Sequence, residues 1–188
     1  PPALLTRLVG SEMCIRDTVR TIKEGLATNK ITKVYGILNG TCNYIMSEME
    51  RTKDSFKNVL KMAQKLGYAE PGNPKLDLNG YDALAKIKIL TSLAFNKKIS
   101  KSECLMEGIE NIDYSDIKIA DQLDFRIKLL GITEIINNSI FERVHPCLVK
   151  KDSYIGNVDG VMNAVILNGS PIGELSLIHI SEPTRRVR

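Results

Sequence analysis

A chain of 188 residues is long enough to bury one sizeable core, and its 43% hydrophobic and 26% charged residues are ordinary for a globular protein. Lys, Asn or Gly interrupts every apolar run within a few residues, which excludes a membrane-spanning reading. The net charge of +4, with much of the basic excess in Arg185, Arg186 and Arg188, comes with no Trp and only four Phe and six Tyr, so no basic stacking surface for nucleic acid is expected.

In chain order, residues 1–17 show neither a helical nor a strand period, nor the ordered regions of a signal peptide, and read as a foreign or disordered segment. From Thr18 to Lys30 the spacing of Val19, Ile22 and Leu26 predicts a short amphipathic helix. Ile31–Leu38 reads as a strand, and Asn39-Gly40 turns into a helix over Thr41–Met49 with Thr41 as one candidate for its N-cap. Asp54 or Ser55 can cap the next helix, which runs to Leu66 with Phe56, Val59, Leu60, Ala63 and Leu66 on one face and Gly67 as its stop. After a Pro/Gly-punctuated loop, Tyr81–Phe95 is helical, and Ser115–Leu123 is a shorter helix with Ser115 at its N-cap.

The pattern then changes to strands. Residues 125–136 and 140–150 form a hairpin around Asn137-Asn138-Ser139, and residues 161–167 and 170–174 form another around Asn168-Gly169. Helices followed by strands predict an α+β fold with helices packed on one face of a mixed or largely antiparallel sheet. Beyond Glu174 the chain starts like a strand but ends in a basic tail without cap or stop, so 175–188 reads as a foreign or disordered tail around a native 18–174. Cys14, Cys42, Cys104 and Cys147 are widely spaced and the chain has only two His, which indicates no metal site and no disulfide framework. Small buried hydrophobes in a reducing cytoplasm are the expectation.

The chemistry concentrates between Gly67 and Lys86. Asp82 and Lys86 are four residues apart, so a helix opened by Asn79-Gly80 presents them on one face. Glu70 and Asp77 lie in the loop leading to that face, where Pro71, Gly72 and Pro74 restrict the backbone. Carboxylates beside an ammonium suit a small substrate with an amino group and a reactive oxygen. In such company Lys86 keeps its proton and can donate to a carbonyl or alkoxide oxygen. The alternative is a surface Asp82–Lys86 pair worth about 0.3–0.5 kcal/mol, with Asp77 on turn duty. Gly40-Thr41, at a strand-to-helix junction, offers free backbone N–H groups and a hydroxyl to an anion or amide ligand, or is simply a glycine turn.

GILNGTCNYI, LGYAE, LDLNGYDALAKIKIL, IADQLDFRIKLLG, RVHPCLV and NVDGVMNAV, in this order, resemble the catalytic region of homoserine dehydrogenase over roughly Thr18–Glu174. The resemblance implies a glyceraldehyde-3-phosphate dehydrogenase-like catalytic domain. It also implies interconversion of L-homoserine and L-aspartate 4-semialdehyde with NAD or NADP, on the route to threonine, isoleucine and methionine. It implies Lys86 as the catalytic lysine, Glu70, Asp77 and Asp82 as substrate-binding acids, and Gly40 and Thr41 beside the nicotinamide and substrate. A homodimer through the other sheet face or edge is implied as well. Against the family pattern, the loop after Glu70 is one residue longer and lacks an Asp, and the Rossmann part with its glycine-rich turn and second lysine is missing. The segment that supplies the family's monovalent-cation site should lie just before Thr18, and a Gly-rich end should follow Glu174; both are replaced. The chain alone is therefore expected to be inactive. A non-catalytic amino-acid-binding or dimerisation module is the competing expectation.

Overall fold

The computed structural model describes residues 18–26, 28–98 and 104–180; the expectations for residues 1–17 and 181–188, Cys14 among them, lie outside the described residues. Among the described residues, six strands form one sheet: β1 (Lys30–Ile37), β2 (Leu105–Met106), β3 (Phe125–Ile136), β4 (Ser139–Lys150), β5 (Met162–Ser170) and β6 (Gly173–Ile180), in the order β2-β4-β3-β1-β5-β6. The sheet is mixed because β2 runs parallel to β4 while the other neighbours are antiparallel. Two residues are too short to carry a strand period, so β2 leaves no mark in the sequence.

Among the described residues, five α-helices join them: α1 (Gly40–Thr52), α2 (Phe56–Lys65), α3 (Lys75–Leu78), α4 (Tyr81–Phe95) and α5 (Tyr114–Gln122). Strand alternation divides the apolar residues in two. Val34, Leu38, Leu129, Val165 and Leu167 join the helices' Ile45, Met49, Val59, Ala63, Ile87, Leu90 and Ile117 in the main core. Ile37, Leu130, Ile132, Ala164 and Ile166, one residue out of phase, form a smaller cluster with Val149, Ile155 and Val158. The α+β expectation, with helices on one face of a mixed sheet, holds, and β1 from the helical half of the chain lies inside the sheet between β3 and β5.

Several local expectations are corrected. Thr21–Gly25 is a π-helical turn, closed by the Leu26 amide donating to the Thr21 carbonyl at 2.9 Å, and it still buries Ile22 and Leu26. Leu66 is 55% exposed, because the helix ends at Lys65 and turns away through Gly67 at φ 80°. The cap of α5 is Asp113, whose carboxylate accepts from the Ser115 and Asp116 amides while Asp116 reaches back to the Asp113 amide. Asn168-Gly169 is not the turn. Ser170 and Gly169 pair with Lys30 and Ile31 of β1, so β5 continues and the chain reverses at Pro171-Ile172.

The boundary expected after Glu174 falls inside β6. Its backbone stays in register with β5, from Leu175 opposite Leu167 to Ile180 opposite Met162. A partner strand therefore organises a segment whose own pattern was weak.

Candidate active site

Asn39, two residues beyond β1, caps α1: its side-chain oxygen accepts from the Cys42 amide at 2.8 Å. This replaces Thr41 as the cap. The Gly40 and Thr41 amides, in the first turn, lie outside the intrahelical ladder. The Thr41 hydroxyl donates to the Tyr68 carbonyl at 2.6 Å, which ties α1 to the segment leading to Glu70.

That segment is held from both sides. Gln64 donates to the Glu70 carbonyl at 2.9 Å, and the Tyr44 and Tyr68 rings lie 4.7 Å apart. Asp77, expected in a loop, sits on the single turn of α3. The joint from α3 to α4 passes through Gly80 at φ 89°, a conformation that a side chain would strain. Gly108 packs so closely on this joint that a Cβ there would meet the Leu78 carbonyl oxygen at 2.0 Å. The Ile109 amide donates to that same carbonyl at 2.9 Å.

These constraints converge on Lys86. Its residue is only 7% exposed, and its ammonium donates to the Leu38 carbonyl at 3.0 Å and to Asp82 Oδ2 at 2.6 Å. A surface pair is therefore excluded. An ammonium carries three protons, and no further hydrogen bond among the described residues takes the third. The Asn39 amide group donates to Asp77 Oδ1 at 2.9 Å and to Asp82 Oδ2 at 3.0 Å. The structure thus brings Asp77, Asp82 and Lys86 together. Glu70 is exposed, and its charge acts on Asp77.

Burial pushes the Asp77 carboxyl up from its ordinary value, the Asn39 hydrogen bond opposes that, and the Asp82 charge adds to the rise. Cys42, fully buried beneath, donates from Sγ to the Asp77 carbonyl at 3.2 Å; burial and then the Asp77 charge raise its thiol well above the usual range. It stays protonated and is not a nucleophile. Cys147 is pushed up to about 11 by burial. Among the described residues no group of three or more His, Cys, Asp or Glu is placed to hold a metal ion.

Burial of the Asp77 carboxyl makes stability depend on pH. The native state holds this proton more tightly than the unfolded chain, so its stabilisation is present below pH 3.8 and is lost as pH rises through the folded value. At neutral pH the ionised Asp77 is a cost. Asp77→Asn is expected to raise stability by roughly 0.5–2 kcal/mol at pH 7, with the gain vanishing at the acid end of a urea-denaturation series. A gain unchanged by pH would disprove the assignment.

From the sequence alone Asn39 reads only as part of a turn. The signal was available: Asn directly before a helix, three residues ahead of an amide it can cap. The Leu38 carbonyl, a backbone group, had none.

The helix-covered, mixed six-stranded sheet fits the catalytic-domain architecture of glyceraldehyde-3-phosphate dehydrogenase-like enzymes. The homoserine dehydrogenase family model matches residues 18–183, and the chain belongs to that family. It is 47% identical over 156 residues to a homoserine dehydrogenase of Neisseria gonorrhoeae, covering 83% of this chain and 36% of that protein. The crystal structure of a homoserine dehydrogenase from Thiobacillus denitrificans superposes with a TM-score of 0.84 at 42% identity, covering 88% of this chain and 39% of that one. A more distant hyperthermophilic archaeal homoserine dehydrogenase mutant, in complex with NADPH, shares the fold with a TM-score of 0.72 at 21% identity. The chain thus spans little more than a third of the length of its bacterial relatives.

Proposed function

We propose that this chain supplies the substrate half of an NAD(P)-dependent homoserine dehydrogenase, interconverting L-homoserine and L-aspartate 4-semialdehyde for threonine, isoleucine and methionine synthesis. The observation that carries this reading is the Lys86 ammonium, held by the Leu38 carbonyl and Asp82 with one proton left for a substrate oxygen. When the aldehyde is reduced, the carbonyl oxygen accepts a hydrogen bond and then a proton from Lys86, and it becomes the hydroxyl of homoserine. In the reverse direction the hydroxyl proton passes to the lysine. Asp77, Asp82 and Glu70 attract the substrate ammonium and hold the reacting carbon in place.

A bound nicotinamide supplies or accepts the hydride. Of this chain's residues, Gly40 and Thr41 would lie beside it, with their first-turn amides free of intrahelical partners. By family analogy the sheet face or edge away from the helices supports a homodimer in the full-length protein. The reduced thiols of Cys42 and Cys147 fit the cytoplasm, and no helix among the described residues is long and apolar enough to cross a membrane.

The test is a chimera in which this chain replaces the matching 156 residues of the Neisseria gonorrhoeae relative. Homoserine-dependent formation of NADPH or NADH by the chimera, and none by the 188-residue chain alone, is the expected result. A folded chimera that binds homoserine without turnover would favour an amino-acid-binding module instead.

A further inference from the structure

Two carboxylates share the candidate site with one lysine, and something other than that lysine must hold them side by side. Lys86 reaches Asp82, but no hydrogen bond joins it to Asp77 among the described residues. Asn39 reaches both. It is 5% exposed, and its amide oxygen is already engaged by the Cys42 amide, which fixes the orientation of the group and aims both N–H bonds at the acids. Those bonds end on Asp77 Oδ1 and Asp82 Oδ2. The other two carboxylate oxygens, Asp77 Oδ2 and Asp82 Oδ1, receive no hydrogen bond among the described residues.

We infer that Asn39 is a positioning residue: one side chain caps α1 and clamps the two carboxylates, leaving one oxygen of each for the ammonium of an amino-acid substrate. The inference rests on the substrate reading given above. Its physical content is the replacement of two separate solvation shells by one neutral, fixed donor pair. Two like charges drawn together repel, and the clamp offsets this without adding a charge that would compete with the substrate ammonium. The same residue links the carboxylates to the first turn of α1, so Gly40 and Thr41 cannot shift without moving the acids.

Asn39→Ser separates the two duties. Serine caps a helix about as well as asparagine but cannot span two carboxylates. The groups acting on Asp77 are Asn39, Asp82, Lys86 and Glu70; only the first changes. In the full chain, carboxyl carbons followed by NMR should show Asp77 titrating at a higher pH in Asn39→Ser than in the parent. The Cys42 amide should remain protected from exchange, and Tm should fall by no more than about 4 °C. L-Homoserine measured by calorimetry should bind at least about tenfold more weakly. Asn39→Asp, which caps but adds a third negative charge, should raise the Asp77 titration further. An unmoved Asp77 titration in folded Asn39→Ser, or homoserine affinity within about twofold of the parent, would overturn the inference. If the parent chain binds no homoserine, the substrate reading falls; the ligand-free titration then decides the clamp alone, a rise supporting it and no change refuting it.

Discussion

Replacing Lys86 with methionine in the chimera is expected to lower homoserine-dependent turnover by about 10²–10³-fold or more, the usual loss when one donor to a developing oxyanion is removed. The effect should fall on kcat more than on KM, because the lysine contact strengthens as charge builds on the substrate oxygen. Methionine matches lysine in length and fills the same space. It leaves the Leu38 carbonyl and the partly buried Asp82 carboxylate without their ammonium, a cost of about 1–3 kcal/mol in stability that urea denaturation will report separately. Arginine should not rescue the activity. Its planar fork cannot sit as a compact ammonium does between a backbone carbonyl at 3.0 Å and a carboxylate at 2.6 Å. Turnover by Lys86→Met within tenfold of the parent chimera would remove this residue from the reaction.

The second large effect lies outside the site. Lys128 is 1% exposed, and its ammonium donates to the Val158 carbonyl at 2.7 Å, Asn43 Oδ1 at 3.0 Å and Asp159 Oδ1 at 3.0 Å. Arg126 adds bonds to Glu50, the Gly156 carbonyl and Asp159. This network ties α1 and β3 to the segment between β4 and β5. Lys128→Met should destabilise the chain by about 3 kcal/mol, the low end for breaking a buried pair, because Asp159 is half exposed and can return to water. Adding Asp159→Asn should recover little, since Asn43 Oδ1 loses its donor and the Val158 carbonyl keeps only its bond from the Asn43 amide group at 3.0 Å. Burial, partly opposed by Asp159, lowers the Lys128 value below 10.5. The unfolded chain therefore binds this proton more tightly, and the parent should gain stability as pH rises through the window below 10.5, whereas Lys128→Met should not. A urea midpoint unchanged by Lys128→Met, or an alkaline gain that persists in it, would show that the network carries no such weight.

The network shows where reading a sequence stops. Lys128 lies in a run of strand residues and looks like an ordinary outward-facing cation. Its burial depends on Asn43, 85 positions away, and on the Val158 carbonyl, which has no side-chain signature. The same holds for β2, too short for a period, and for the end of β5, where β1 extends pairing through a turn-prone Asn168-Gly169. Tertiary partners overrode local turn chemistry there.

What the sequence determined by itself was periodic or covalent. The α4 helix runs from Tyr81 to Phe95 as its apolar spacing requires, and the four-residue interval places Asp82 against Lys86. The long β3–β4 hairpin turns at Asn137-Asn138, both at positive φ, a conformation that Asn tolerates. The ordered motifs that resemble homoserine dehydrogenase were legible as well. Only the tertiary structure decided that the Asp82–Lys86 pair is buried rather than surface decoration. That outcome depends on the Leu38 carbonyl, on the closeness of Gly108 to the α3–α4 joint, and on Asn39 bridging two acids 38 and 43 residues away. Spacing along a helix sets which groups are neighbours, but burial and the third partner that give an ion pair chemical purpose come from segments distant in the chain.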